Sequence, residues 1–182
     1  MIKLYQNIIA YGFKNVYVCK TGSVPIPIKG ALSVSIEIDI EQEFLNVGRK
    51  KVIMDTNKQA SGELVLLGLN KDEMELLLGY KLDNNGGVII DDGIKAPQLH
   101  LLFERQVADG SKILYHIFNV RFKQSSFDAT TMIEGNLEEN EVVLQMDIEY
   151  DEDYKGFYYM LKSSDNEDVA NNWYYSLQYP KF

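Results

Sequence analysis

Between Ala31 and Phe44, apolar and polar residues alternate almost without a break. Leu32, Val34, Ile36, Ile38, Ile40 and Phe44 fall on one side; Ser33, Ser35, Glu37, Asp39, Glu41 and Glu43 fall on the other. Successive side chains of a strand point to opposite faces, so this pattern predicts a long, half-buried strand with one apolar and one wet face. Val142–Tyr150 alternates in the same way, with Gln145, Asp147 and Glu149 on its polar side. Phe13–Cys19 is aromatic and β-branched and predicts another strand. Leu99–Val107 and Lys112–Phe122, separated by Asp109-Gly110, predict a hairpin. Val52–Met54 and Gly62–Leu69 read as short strands, with the polar stretch from Asp55 to Gly62 as a loop between them. Pro25 and Pro27 bracket an extended connection, since proline is excluded from central strands. Asp83–Gly87 predicts a tight turn between Tyr80–Leu82 and Val88–Ile90. Trp173–Tyr179 reads as a last strand after a short capped segment that begins at Asp165.

One segment has helical periodicity. Asn70 is a good N-cap, and Glu73 three residues later completes a capping box. Met74, Leu77 and Leu78 form an i, i+3, i+4 stripe, and Gly79 stands where a left-handed C-terminal residue is favoured. Many short strands and this one helix predict a mainly β fold, an antiparallel β-sandwich or barrel with one short flanking α-helix. Residues 1–182 fit one domain, with 45–60 as an extended loop or hairpin and 165–182 as a C-terminal segment.

Charge adds asymmetry to this picture. The net charge is −9, yet residues 1–36 carry four lysines and no acid, whereas residues 134–155 carry nine acids and one base. On the wet side of the first alternating strand, Glu37, Asp39, Glu41 and Glu43 follow one another without a base. Residues two apart in a strand are about 6.7 Å apart, inside the roughly 8 Å screening length of physiological salt. These carboxylates therefore repel one another, as on a surface meant to stay negative. Such a balance argues against ordinary nucleic-acid binding, which needs clustered lysine and arginine. Arg49-Lys50-Lys51 makes the one basic patch, in a predicted loop with Asn46 and Gly48. No apolar run is long enough for a membrane helix, and the N-terminus lacks the features of a secretion signal. Cys19 is the single cysteine, which suits folding in a reducing cytoplasm without a disulfide.

Catalytic signatures are missing from the sequence. His100 and His116 lie in apolar strands and could be cross-strand neighbours, but two histidines make a poor metal site. Cys19 has no histidine near it in sequence to activate it. Asp91-Asp92-Gly93 and Asp151-Glu152-Asp153 lack the spacing and closing glutamate of calcium loops, and read as solvated turns. No enzyme activity, metal or cofactor is expected. Twelve tyrosines and eight phenylalanines exceed what such a core requires, and surplus aromatics often mark protein contacts.

Several stretches, in order along the chain, are similar to the major tail (tail-tube) proteins of bacteriophages with long, non-contractile tails. They are Gly12-Phe13-Lys14-Asn15-Val16-Tyr17, then Ile28–Glu37, then Ser61-Gly62-Glu63-Leu64 with the helix ending Leu78-Gly79. Leu101-Leu102-Phe103-Glu104 with Tyr115–Val120, and Trp173 followed by Tyr179-Pro180, complete the set. The sequence departs from that pattern in lacking a proline near Glu37–Glu41 and in its basic Asn46–Lys51 loop.

The resemblance implies a structural virion protein that forms stacked rings, expected as hexamers, around a tape-measure protein. Tail-terminator and tail-tip proteins are its expected further partners. DNA would pass through without specific binding, and assembly would take place in the host cytoplasm. In that setting Glu37, Asp39, Glu41 and Glu43, with Asp147 and Glu149, are candidates for the bore wall. Asn46, Gly48, Arg49, Lys50 and Lys51 would reach a neighbouring subunit. A soluble β-sandwich that binds carbohydrate through exposed Tyr158, Tyr159, Trp173 and Tyr174 is the alternative.

Overall fold

The computed structural model describes residues 10–47, 50–90, 93–124 and 141–182, and for 41–57 the backbone course alone. Its strands are β1 (Ala10–Cys19), β2 (Ile26–Pro27), β3 (Ala31–Val47), β4 (Lys50–Leu66), β5 (Lys81–Leu82), β6 (Val88–Ile89), β7 (Leu99–Val107), β8 (Lys112–Gln124), β9 (Val142–Ile148) and β10 (Tyr158–Lys162). All but β5 and β6 join one antiparallel sheet in the order β2-β1-β7-β8-β9-β4-β3, with β10 on β8. The chain is thus mainly antiparallel β, as its alternating patterns predict.

The sheet forks along β8. Ile113–Ile117 pair with β10, and Val120–Gln124 pair with β9 on the same edge. Asn119 lies at the fork with φ 49°, a left-handed conformation that asparagine tolerates better than most residues. Its side chain donates to Asp151 Oδ2 at 3.0 Å, which fixes the loop after β9 against the fork. β1, β4, β7, β8 and β9 share one core of Val16, Val18, Leu64, Leu66, Leu101, Ile117, Phe122, Leu144 and Met146, all under 5 % exposed. Val142–Tyr150 follows its pattern, with Leu144, Met146 and Ile148 inward and Gln145, Asp147 and Glu149 outward.

The helix starts as its sequence predicts. Asn70 Oδ1 accepts from the Glu73 N–H at 2.9 Å, and Glu73 Oε2 accepts from the Asn70 N–H at 3.0 Å. Only Lys71–Glu73 (α1) is α-helical; Met74–Leu78 continue as a π-helical turn. Leu77 and Leu78 are buried, and Gly79 closes the turn at φ 73°. A Cβ on Gly79 would lie 2.8 Å from the Lys95 carbonyl oxygen, so the following chain crosses where a side chain would stand.

Two expectations need correction. Residues 55–62 are strand, because β4 runs unbroken from Lys50 to Leu66 and pairs with β3 throughout. Among the described residues β9 joins β4 only from Ala60 onward, so Lys50–Gln59 pair with β3 alone, as a two-stranded arm. Trp173–Tyr179 is not a strand. A second helix, α2 (Glu167–Asn171), is capped by Asn166 and leads into turns and an irregular tail. This tail straps the outer face of β7 and β8, where Trp173 packs on Leu102 and Leu114. The aromatic alternation arises because the strap lies on the sheet, not within it.

Candidate assembly surface

Glu37 and Asp39 stand on the exposed face of β3, opposite Ser61 and Gln59 of β4. Ser61 in turn opposes Asp147 of β9, which opposes Arg121 of β8. Directly opposed residues share a face, so Glu37 and Asp39 lie on one surface with Asp147 and Glu149, with β4 between them. The charge of that surface is graded. Asp147 is salt-bridged to Lys123, and Arg121 Nε donates to Glu149 Oε1 at 3.1 Å. Gln98 Nε2 also donates to Glu149, at 2.9 Å. Asp147 and Glu149 are therefore neutralised, while Glu37 and Asp39 remain on the outer strand. Periodicity in one strand cannot reveal this, because the bases come from a different hairpin. Glu41 opposes Asn57 and Glu43 opposes Met54 along the arm, and a bulge in β4 at Thr56 bends the ladder between them. The acidic stretch Glu134–Glu139 lies outside the described residues, as do Asp91 and Asp92.

The apolar face of β3 is less covered than its pattern predicts. Val34 and Ile36 pack on the core, but Leu32, Ile38 and Ile40 are 41 %, 43 % and 48 % exposed. Leu32 and Ile38 line a cleft of about 590 Å³ together with Phe13, Phe103, Tyr115 and Tyr158. The physical reason is position: β3 is the last strand of the sheet, and β4 is its one partner among the described residues. Among the described residues its outer backbone edge carries no ladder, and Ile38 and Ile40, beyond Ile36, stay exposed.

Asn46, Lys50 and Lys51, expected in a loop, lie in strands. Asn46 belongs to β3 and pairs with Lys51, and Val47 pairs with Lys50, at the far end of the arm. Gly48 and Arg49 lie outside the described residues.

His100 and His116 are indeed cross-strand neighbours, and both are buried. His116 Nε2 is 3.0 Å from His100 Nδ1, His116 Nδ1 is 2.8 Å from the Gln178 carbonyl oxygen, and His100 Nε2 is 3.0 Å from Thr21 Oγ1. Burial holds both rings below the ordinary histidine range, His116 at about 3. Burial also pushes the Cys19 thiol up to about 11, which leaves it a protonated, unreactive core group. No cluster of three or more metal-ligating side chains occurs among the described residues.

The aromatic set proposed for carbohydrate does not form a platform. Trp173 is fully buried, and Tyr159 and Tyr174 are half-buried beside it. Tyr174 stacks on Tyr17 with ring centroids 4.5 Å apart and donates to the buried Glu104 at 3.1 Å. Of the four, Tyr158 alone is exposed, on the rim of the cleft beside β3. Glu104 was not foreseen as a buried group. It accepts from Asn15 at 2.9 Å, pairs with Lys112 at 3.0 Å, and accepts from Tyr174 on a strap arriving from 70 residues later.

No protein-family model matches the sequence. No curated protein matches it either. Among solved structures, the chain is similar to one from the PVC sheath–tube complex of an extracellular contractile injection system in its extended state, at 16 % identity and TM-score 0.47. That likeness covers 87 % of this chain and 94 % of the other. It is also similar to a chain of the anti-feeding prophage cap, which terminates that particle's tube, at 15 % identity and TM-score 0.45, covering 89 % and 95 %. A third likeness is to the anti-feeding prophage baseplate, at 10 % identity and TM-score 0.43, covering 87 % and 97 %. Likenesses at this level fix neither family nor function.

Proposed function

We propose that this chain is a self-assembling structural subunit of a tail tube, closing into rings that stack around a bore. The observation that supports this most directly is β3, a 17-residue edge strand with three apolar residues 41–48 % exposed along it. Long, uncovered edge strands are a liability for a protein meant to stay monomeric. A strand from a second copy would supply a second ladder for β3 and cover for its exposed apolar residues. Edge and recipient surface differ, so the contact is head-to-tail, and repetition closes it into a ring or extends it as a filament. Six subunits per ring is the number the sequence resemblance implies. Lys50 and Lys51, at the end of an arm that leaves the sheet, would reach a carboxylate-bearing neighbour.

Glu37, Asp39, Glu41 and Glu43 would line the bore, with Asp147 and Glu149 contributing less because they are paired. Duplex DNA carries one negative charge per roughly 1.7 Å of axis. A basic wall would hold it by counterion release, whereas an acidic wall leaves it free to slide. Tape-measure, tail-terminator and tail-tip proteins are the proposed partners. The sequence resemblance favours a non-contractile tail; specific binding to a sheath protein would place the tube in a contractile one instead.

Negative-stain microscopy of the purified protein tests the assembly. Rings or tubes are expected, and monomers that persist under every condition, including added tail-tip components, would refute it. Size-exclusion chromatography with a glycan screen separates the binding-module alternative, which requires a monomer with measurable affinity.

A further inference from the structure

The hydrogen-bond chain through the two histidines has one direction. The Gln178 carbonyl can only accept, so His116 carries its proton on Nδ1. Its Nε2 is then an acceptor, filled by the Nδ1–H of His100, whose own Nε2 accepts from the Thr21 hydroxyl. Both rings are neutral in this arrangement and every position is used. Over them lies the C-terminal strap: the Tyr179 ring is 5.2 Å from His116 and 4.5 Å from Tyr154, on which it stacks, and 6.2 Å from Phe118. Six residues earlier Trp173 fills the site between Leu102 and Leu114, with no partner for its indole N–H among the described residues. A main-chain carbonyl and aromatic contacts hold the last turn of the strap down; among the described residues, no salt bridge joins residues 176–182 to the sheet.

The geometry points to an acid-released latch: protonation of the His100–His116 pair lifts the C-terminal strap, Asn172 to Phe182, from the outer face of β7 and β8. One proton can be absorbed on His100 Nε2 if the Thr21 hydroxyl turns to accept, while the bonds from His100 Nδ1 to His116 Nε2 and from His116 Nδ1 to the Gln178 carbonyl keep their direction. That leaves a cation buried beneath Tyr179 and Phe118. A second proton sets N–H against N–H at 3.0 Å, and the rings must part.

The groups that face the pair do not offset this. From β1 come Cys19, held as the neutral thiol, and Tyr17, which stacks on Tyr174. Tyr159 of β10 pairs in register with His116. Asp151 draws protons toward both rings, but its oxygens already accept from Asn119, Asp153 and Tyr154. Tyr179, pushed up to about 12 by burial, stays neutral. Glu104 and Lys112 lie farther along the same face, paired with each other and with Tyr174. Both histidines sit below the ordinary value of 6.5 in the folded protein, so stability is complete above pH 6.5 and falls as pH drops toward about 3. This inference stands whether or not the chain builds a tube.

Trp173 is the only tryptophan, so its emission reports the strap directly. The full chain is titrated from pH 8 to pH 3.5, following Trp173 emission, far-ultraviolet circular dichroism and hydrogen exchange of peptides from 172–182 and 112–124. The expected result is a red shift and loss of protection in 172–182 while the sheet signal and 112–124 stay intact. His116→Gln preserves a donor toward Gln178 and an acceptor toward His100 without a titrating ring, and should shift the midpoint down by at least one pH unit. A strap that stays protected to pH 3.5 would overturn the proposal. So would strap and β8 opening together, or a His116→Gln protein that titrates like the wild type. If that variant does not fold, hydrogen exchange of the wild type decides alone.

Discussion

Gly62 offers a sharp test of how β3 is held. It lies in β4 between Ile36 of β3 and Met146 of β9, and a Cβ there would lie 2.1 Å from the Ser35 carbonyl oxygen, 2.9 Å from Met146 Cε and 3.2 Å from the Ile36 Cα. The methionine end can swing away, but the two backbone atoms can yield only if β3 moves. Restoring an ordinary contact of about 3.4 Å requires a shift of about 1.3 Å, which strains or breaks the ladder bonds at Ser35 and Ile36. Overpacking of this kind costs typically 1–3 kcal/mol, and each lost hydrogen bond adds about 1 kcal/mol. Gly62→Ala should therefore destabilise by about 3 kcal/mol, or about 6–12 °C in Tm for a chain of this size. Gly68→Ala is the control: a Cβ there meets nothing within 4 Å, so the change should be neutral or slightly stabilising. Thermal unfolding followed by circular dichroism measures both. A Gly62→Ala protein within about 0.5 kcal/mol of wild type, or a Gly68→Ala protein that is the worse of the two, would refute this account of the β3–β4 contact.

Three further outcomes are expected. Ile38→Lys with Ile40→Lys should abolish rings and tubes in negative stain while lowering the monomer's Tm by only a few degrees, because both side chains are nearly half exposed; tubes of normal yield would count against β3 as the assembly edge. Lysine at Glu37, Asp39, Glu41 and Glu43 should leave tubes intact but slow DNA ejection from assembled particles; unchanged ejection would remove these residues from the bore wall. Asn70→Ala deletes the capping box and should cost about 1 kcal/mol in urea unfolding; no change would mean that burial of Leu77 and Leu78 alone holds that turn.

Much of the fold is legible in the chain because its information is local. Alternation in Val142–Tyr150 fixed which residues of β9 point inward, and Asp109-Gly110 fixed the β7–β8 hairpin, since turn and face are set by neighbouring residues. The Asn70–Glu73 capping box and Gly79 are likewise satisfied within one turn of backbone. The π-helical turn was not legible, because a shift in hydrogen-bond partner leaves the apolar stripe nearly unchanged.

Tertiary structure decided the rest. The alternation in β3 establishes its two faces, but only its place at the end of the sheet leaves Leu32, Ile38 and Ile40 in water. Acidity along β3 and β9 is written in the sequence. That Lys123 and Arg121 cancel it on β9 and leave it on β3 depends on which hairpin lies beside which. The aromatic tail reads as a strand because a strand and a strap laid over a sheet demand the same residues. The partner that distinguishes them, a buried face bearing Leu102, Glu104, Leu114 and His116, is assembled from distant segments. Sequence alone sets what each residue can do locally; long-range pairing sets which surfaces are covered, neutralised or left open.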